Sequence, residues 1–525
     1  MIIVVGSGPA GISCTQALLA QGAEVLLIDG GQSLEPSALA QVEELARTAP
    51  ESWTNGATAF LKERVESGAS GIRLKMAYGS DFPYRESPGA TQIVCDAVDT
   101  KASYARGGFS NVWGSAVLPY RDEDIHEWPI PAQALEDAYR AVLRWMPLSA
   151  SHDGLEHLFP LYSKGHSQLP LSRQAAALLT DLNRNKEKLN HSGLFFGASR
   201  LAVNNVNHAG SQGCVTCGLC MYGCPHGLIY SSDLTIEALK ANPKFHYRHG
   251  LTVRTVRESG PVVALQGVDS KGDVFQLTAE RVFLAAGVLE TTSILLRSLE
   301  RYESPVTLKD SQYFLLPVLR CKATRGVSTE RLHTLAQLFI EILDPSLSPY
   351  TVHLQTYTYN ELFRQRILAA SGPVKALTPI ESVVGRMLLF QGYFHSAHSS
   401  HIAATLHRST GPDVLKLTAL PNPETGKMMR KLIRKLMGVA RWTGLVPLFP
   451  LLQLGLPGRG FHVAGSFPMS NKPGPGDTDL FGRPFGTSRI HAVDASVFPS
   501  VPATTITFTV MANAFRIGSL LEHYA

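Results

Sequence analysis

Residues 2–11 read Ile-Ile-Val-Val-Gly-Ser-Gly-Pro-Ala-Gly, an apolar run that breaks into Gly6-x-Gly8-x-x-Gly11. Ile2 to Val5 spells a short strand, Ala10 to Gln21 a helix, and Glu24 to Ile28 a second strand ending at Asp29. In such a β-α-β unit Gly6 makes the tight turn, Gly8 lets a pyrophosphate approach the backbone, and Gly11 lets helix and strand pack closely. The helix N-terminus offers unpaired N–H groups and the positive end of its dipole to the phosphates. Asp29 stands 18 residues beyond Gly11, where an acid can hold a ribose hydroxyl. The unit predicts an α/β fold with a Rossmann-like dinucleotide-binding domain.

Working outward, the chain has 525 residues, enough for about three domains or two large interleaved ones. Hydrophobic residues make up 44% and charged residues only 17%, so much of the chain should be buried. The 45 Gly and 32 Pro imply many turns rather than disorder. A net charge of +5 is too small and dispersed to argue for nucleic acid. With a strand and glycine turn beginning at residue 2, no leader is read, and a cytoplasmic location is the expectation. The longest uncharged apolar run, Trp442 to Gly458, is broken by Pro447, Pro450 and Pro457 and falls short of a membrane span.

Five further stretches are read. From about Leu34 to Lys101 the pattern is weakly periodic and reads as helices, loops and a cover segment. Residues 106–120 form a glycine-rich loop in which Gly107 and Gly108 permit close approach to a ligand, while Ser110 and Asn111 can donate hydrogen bonds. Val282 to Ala285, Gly287 and Leu289 to Arg297 spell a second strand–turn–helix that can reach the same cofactor. Residues 350–406 alternate with period two, predicting a second sheet; its His and Tyr residues read as a solvated sheet face, with a polar pocket as the lesser reading. Residues 424–441 form a basic amphipathic helix, read as core-facing in preference to membrane-surface.

Seven cysteines occur, and four fall in the window Cys214-x-x-Cys217-x-x-Cys220-x-x-x-Cys224-Pro225. This is the spacing of a bacterial ferredoxin iron–sulfur loop, and Gly213, Gly218 and Gly223 let the backbone curl around a cluster. Zinc fits less well, because structural zinc sites usually separate two Cys pairs by a longer loop. In two-cluster ferredoxins the fourth Cys of the run serves the other cluster. Cys224 therefore bends back to the same iron, a remote Cys serves, or the cluster has three irons; a four-iron cluster is favoured over a three-iron one. A loop without metal is the remaining alternative.

The C-terminal part contains Phe461-His462-Val-Ala-Gly465-Ser466, Gly482-Arg-Pro-Phe-Gly486 and Ile490-His-Ala-Val-Asp494-Ala-Ser496-Val-Phe-Pro499-Ser-Val-Pro502, followed by a helix. These blocks resemble the glucose–methanol–choline (GMC) oxidoreductases, FAD enzymes that oxidise alcohols and sugars. The resemblance extends to the Gly6/Gly8/Gly11/Asp29 unit, the Gly107-Gly108-x-Ser110-Asn111 loop and the strand–helix at Gly287, in the family order. It implies an FAD-binding domain over residues 1–310 and 456–525, interleaved and holding the Cys-rich loop 211–226. The substrate domain then spans 311–455, with 126–190 contributing and an antiparallel sheet at its centre.

By that resemblance His462 is the catalytic His, and its ordinary pKa near 6.5 suits proton exchange. Asp494 and Ala495 match the stretch that contacts the FAD pyrophosphate or ribityl. The helix starting near Thr505 aims its N–H groups at the flavin's N1–C2=O2 edge. Where the family has a second His or Asn, this chain has Thr505, which can donate a hydrogen bond but cannot accept a proton near neutral pH. Some relatives carry a Cys-rich stretch at the position of Cys214–Cys224. The expected activity is oxidation of an alcohol or sugar hydroxyl to a carbonyl, with electrons relayed through the cluster to an external acceptor. The alternatives are an oxidase that uses dioxygen without a cluster, a reductase fed by ferredoxin, or a binding protein with a degraded site.

Overall fold

The computed structural model describes residues 1–54, 56–62, 72–206, 213–360 and 380–520. Residues 211–212 of the Cys-rich loop and 361–379 of the read substrate domain lie outside that set. A parallel five-stranded sheet runs in the order Ile490–Ala492, Val282–Leu284, Ile2–Val5, Val25–Ile28, Phe245–Arg248. Every residue of Ile2–Val5 is buried, as a parallel strand covered on both faces requires. The expected β-α-β unit is thus present, with its helix at Pro9–Ala20. Helix Thr507–Gly518, from the far end of the chain, packs against it. A Cβ on Gly518 would lie 2.9 Å from the Ala17 Cβ, so glycine sets that close approach.

An antiparallel sheet of six strands in line runs Leu445–Pro447, Tyr313–Arg320, Met387–Tyr393, Val352–Tyr357, Leu338–Ile342, Leu194–Ala198, with Gln453–Leu454 also on Tyr313–Arg320. Helices Arg173–Asn183 and Pro423–Thr443 cover one face, burying Leu178, Leu182, Met428, Leu432 and Leu436 against Leu316, Ile340, Leu354 and Phe390. The core-facing stripe read for the basic helix is therefore in place. A third sheet, Val463–Ala464, Val306–Asp310, His401–His407, Val414–Leu420, Gln92–Asp96, joins distant parts of the chain.

The sheets cut across the boundary read at 310/311. Leu194–Ala198 belongs to the large antiparallel sheet, whereas His401–His407 and Val414–Leu420 pair with strands outside 311–455. Strand pairing over such separations leaves no periodic trace in one sequence. No helix among the described residues is long and apolar enough to cross a membrane.

Candidate active site

A cleft opens at the C-terminal edge of the parallel sheet, lined at one end by Gly6, Gly8 and Asp29 and at the other by Phe461, Val463 and Thr507. The switch from strand to helix forces the backbone of Gly6 to φ +101°, and a Cβ there would lie 2.3 Å from the Ala285 carbonyl oxygen. A Cβ on Gly11 would lie 1.8 Å from the Gly6 carbonyl oxygen, which accounts for that glycine although it does not line the cleft. Three helices begin at the cleft wall, at Pro9, Val288 and Thr507, and none has a side chain capping its N-terminus. Their first N–H groups therefore remain free for an anion.

Of the residues read as cofactor-binding, Gly6, Gly8, Asp29, Gly108, Gly287, Asp494 and Ala495 line this one cleft. Asp29 is buried at the end of its strand, accepting hydrogen bonds from the Ser7 hydroxyl and, at 2.9 Å, from the Tyr247 hydroxyl. Burial pushes its carboxyl above the ordinary range, with those bonds and Arg106 opposing. Asp494 accepts from the Thr291 hydroxyl (2.5 Å) and the Ser496 N–H (2.9 Å), fixing the turn at Ala495–Val497 beside the cleft.

Ser110 and Asn111 behave differently from expectation. Ser110 Oγ donates to the Gly107 carbonyl (2.5 Å) and accepts from the Ser232 N–H (2.9 Å). Asn111 Nδ2 donates to the carbonyls of Arg106 and Gly108 at 2.9 and 2.7 Å. A loop holding two consecutive glycines at positive φ needs such internal ties, so these groups shape the loop and do not line the cleft. The Gly107 N–H donates to Ser7 Oγ (2.9 Å), locking the loop to the nucleotide turn. Sequence reasoning missed Glu290, a buried cleft residue whose carboxylate is tied to the Tyr104 and Thr91 hydroxyls. Burial raises its pKa.

FAD fits this cleft: three helix N-termini without a capping side chain suit its phosphates and flavin edge, Asp29 suits its ribose hydroxyls, and two glycines hold the approach open. Gly11→Ala should yield a chain without bound flavin, read from its visible absorbance. Its Cβ would meet backbone rather than a movable side chain, so a stability loss of about 1–3 kcal/mol should accompany it.

His462 follows Phe461, whose backbone is left-handed (φ +55°) and whose ring packs on Phe109 at 5.1 Å. The His462 ring stacks on Tyr393 at 4.7 Å and 20°. Its Nδ1 is buried without a hydrogen-bond partner. Burial, helped by the nearby charge of His353, pushes its pKa down to about 3. Thr505 is buried, and its Oγ1 accepts the Leu118 N–H at 3.0 Å, leaving its own O–H as a donor.

The wall facing His462 is the Tyr313–Tyr393 side of the antiparallel sheet. Every residue of Val352–Tyr357 is buried, so its polar side chains form an interior network and not the solvated face that the alternation suggested. His353 Nδ1 bonds Glu341 Oε1 at 2.7 Å with both side chains fully buried. Gln355 bonds His353 Nε2 (3.2 Å), and the Tyr357 hydroxyl donates to Gln355 Oε1 (3.2 Å). Tyr393 stacks with two imidazoles, His462 at 4.7 Å and His353 at 6.2 Å. A Cβ on Gly114 would sit 3.6 Å from the Tyr357 hydroxyl, so this network reaches the glycine-rich loop.

The four clustered cysteines line a separate, enclosed cavity with His226 and His333. Thr216, Gly218 and Gly223 take positive φ, curling the loop around it. Tyr78 buttresses the curl: its hydroxyl donates to the Cys224 carbonyl at 2.9 Å, and its ring lies 2.5 Å from where a Gly223 Cβ would stand. Burial first, then neighbouring thiols, push Cys214 up to about 11 and Cys217 up to about 12. Lys75 reaches the same surroundings: its Nζ donates to the Trp113 carbonyl (2.9 Å), burial lowers its pKa to about 8, and Cys220 and Cys224 oppose that fall. Among the described residues no three His, Cys, Asp or Glu side chains meet closely enough to hold a single metal ion.

Fold and cleft define a dinucleotide-binding fold of Rossmann type with a separate antiparallel sheet beside it. Residues 456–514 match the family model described as GMC oxidoreductase, covering His462, Asp494 and Thr505. No curated protein sequence matches the chain. Among solved structures it is similar to pyridoxine 4-oxidase from Mesorbium loti, at 17% identity over 99% of each chain with a TM-score of 0.58. It is also similar to formate oxidase, at 16% identity over 99% of this chain and 98% of that one with a TM-score of 0.63. A variant formate oxidase from Aspergillus oryzae RIB40 gives 14% identity, 99% and 98% coverage and a TM-score of 0.59. Residues 456–514 are thus similar to the C-terminal part of the GMC oxidoreductases, and the whole chain shares its fold with pyridoxine 4-oxidase and formate oxidase.

Proposed function

We propose that this chain oxidises the hydroxyl carbon of a small alcohol or sugar to a carbonyl and delivers the electrons, through an iron–sulfur cluster, to an external acceptor. The supporting observation is His462: an unpartnered imidazole nitrogen, held by a ring stack between the cleft and a buried polar wall. Bound FAD supplies the hydride acceptor. Asp29 and the turn at Gly6 and Gly8 hold the nucleotide, and the N-terminus of Thr507–Gly518 favours negative charge at its end of the cleft. His462 takes the hydroxyl proton at its free nitrogen. Glu341 fixes His353, while Gln355, Tyr357, Gln391 and Tyr393 offer positioned hydrogen-bond groups to orient a polar substrate. Thr505 offers one donor and no base.

Cys214, Cys217, Cys220 and Cys224 around one cavity, with the Lys75 ammonium near Cys220 and Cys224 as a countercharge, supply the four sulfur ligands and the charge balance that a thiolate-bound cluster would take. Such a group supplies one-electron transfer. Cys220 and Cys224 share an apolar cluster with Leu118, whose N–H binds Thr505 at the active site. The similar structures, pyridoxine 4-oxidase and formate oxidase, are oxidases, which favours dioxygen as acceptor as the second reading. Iron, acid-labile sulfide and FAD should be counted on anaerobically purified chain, with oxygen uptake followed under a panel of alcohols. About four irons and four sulfides per flavin, with alcohol-dependent bleaching, support the relay. Bleaching without iron, with oxygen uptake, replaces it by the oxidase. Flavin reduction by ferredoxin alone supports the reverse reaction, and failure of every alcohol to bleach the flavin overturns the proposal.

A further inference from the structure

Exposed apolar side chains are unevenly spread over this molecule. Among the described residues eleven large hydrophobic side chains are exposed, and four of them, Met437, Val446, Leu451 and Leu454, fall within 18 residues. Helix Pro423–Thr443 turns Met428, Leu432, Leu436 and Val439 into the core. Its opposite face presents Arg430, Arg434, Met437 and Arg441, spaced four, three and four apart and all exposed. The helix's ion pairs among the described residues are Lys427–Glu424 at 2.6 Å and Lys435–Asp344 at 2.5 Å, and the three arginines take part in neither. Their charge is available to an anion from outside.

The chain then runs directly into the apolar edge of the antiparallel sheet. Leu445–Pro447 and Gln453–Leu454 both pair with Tyr313–Arg320, and the Leu448 N–H donates to the Pro317 carbonyl at 2.8 Å, so residues 445–454 lie flat along the sheet. Val446, Leu451 and Leu454 point away from it into solvent. The Cys321 N–H donates to the Gly444 carbonyl (2.9 Å), tying the end of the helix to the same edge. The exposed helix face and the exposed edge are thus adjacent in the chain, with guanidinium groups that have no carboxylate partner among the described residues (Arg434 Nε donates to the Arg430 carbonyl at 3.3 Å and Arg441 lies over the Trp442 ring) near exposed aliphatic ones.

Two properties decide its occupant. An apolar patch alone fits many partners. A row of cations without carboxylate partners, beside aliphatic groups at the margin of a sheet, matches the layered chemistry of a bilayer surface, where anionic headgroups lie above acyl chains. We propose that this edge, Arg430, Arg434 and Arg441 with Met437, Val446, Leu451 and Leu454, docks the enzyme on an anionic membrane surface. The docking face adjoins the substrate wall. The Gly455 N–H donates to the Tyr313 carbonyl (2.9 Å), and the Tyr313 ring meets Tyr393, which carries His462 on its face. Docking concerns binding alone and is independent of the proposed reaction.

The test sediments the flavin-loaded full-length chain with phosphatidylcholine vesicles containing either no phosphatidylglycerol or about a third of it. Binding should be about 100-fold tighter to the anionic vesicles, following the sum over three basic residues, and should weaken with salt. R430Q/R434Q/R441Q should abolish that preference. L451S/L454S should weaken binding to both vesicle types, while L39S/L420S, which alters exposed leucines elsewhere, should leave it unchanged. Thermal melts of the exposed-residue variants check that each remains folded. Equal binding by the arginine variant, or no sedimentation with either vesicle, overturns the proposal. So does a concentration-dependent dimer on sizing that L451S/L454S abolishes without any vesicle binding, since the edge would then meet a second copy of the chain.

Discussion

His462→Ala should lower the rate of flavin reduction by an alcohol about 10²–10⁴-fold while leaving FAD content and melting temperature nearly unchanged. The imidazole makes no described hydrogen bond through Nδ1 and stacks on one face only, so its removal costs few contacts. In the proposed reaction what is lost is the proton acceptor, and Thr505 cannot replace it. The pH profile gives an independent check. A base works in its deprotonated form, and burial holds His462 at about 3, below its ordinary value. Its rate limb should therefore lie near that value, and flavin reduction should stay flat from about pH 8 down to about pH 5. A limb near 6.5 would show that burial of Nδ1 does not hold the base down. A base held so low takes a proton only as negative charge develops beside it, so proton and hydride departure should occur in one step. Deuterium on the hydroxyl and on the carbon should then both slow the same rate. His353→Gln removes the imidazole whose electrostatic effect helps hold His462 down, so the limb should move toward neutral pH.

The nucleotide turn, the strand–helix at Gly287 and the C-terminal blocks were legible in the sequence because each packs its signal into a few consecutive residues. Gly6, Gly8 and Asp29 come together through one local turn. The substrate wall was not legible in that way. Glu341 meets His353 because Leu338–Ile342 and Val352–Tyr357 pair in register, a relation that no local pattern encodes. Alternation on Val352–Tyr357 suggested one solvated face, yet helices cover one side and the site region covers the other, so all six residues are buried. Ser110 and Asn111 were of the right residue types for ligand contact, but two left-handed glycines beside them claim their hydrogen bonds. Lys75 lies in a stretch without periodicity, and only the fold brings it to the cysteine loop.

Cys220→Ser should remove most of the bound iron and lower turnover with one-electron acceptors at least about 10-fold, while anaerobic flavin reduction by the alcohol keeps its rate. The split follows from the two sites being separate cavities: the cysteines line one and the nucleotide turn the other, so a change of donor atom in the first leaves His462 and its wall intact. Serine is close to isosteric, and Cys220 packs in an apolar cluster with Leu118, Leu228 and Leu335, which limits the stability cost to roughly 1–2 kcal/mol for a buried hydroxyl. Lys75→Met extends the argument. Lys75 donates to Trp113 and stands near Cys220 and Cys224, so its removal leaves four thiolates without their buried cation. Iron should then be retained less firmly and the reduction potential of the group should fall, because a net negative site resists a further electron when its countercharge is gone. If Cys220→Ser slows flavin reduction as much as electron delivery, the cysteine loop serves to support the active site and the relay is wrong. Should the wild-type chain hold no iron and both variants turn over with oxygen at its rate, the loop is a metal-free cover and dioxygen is the acceptor. The two half-reactions measured separately on one variant therefore distinguish a dehydrogenase from an oxidase without knowledge of the physiological substrate.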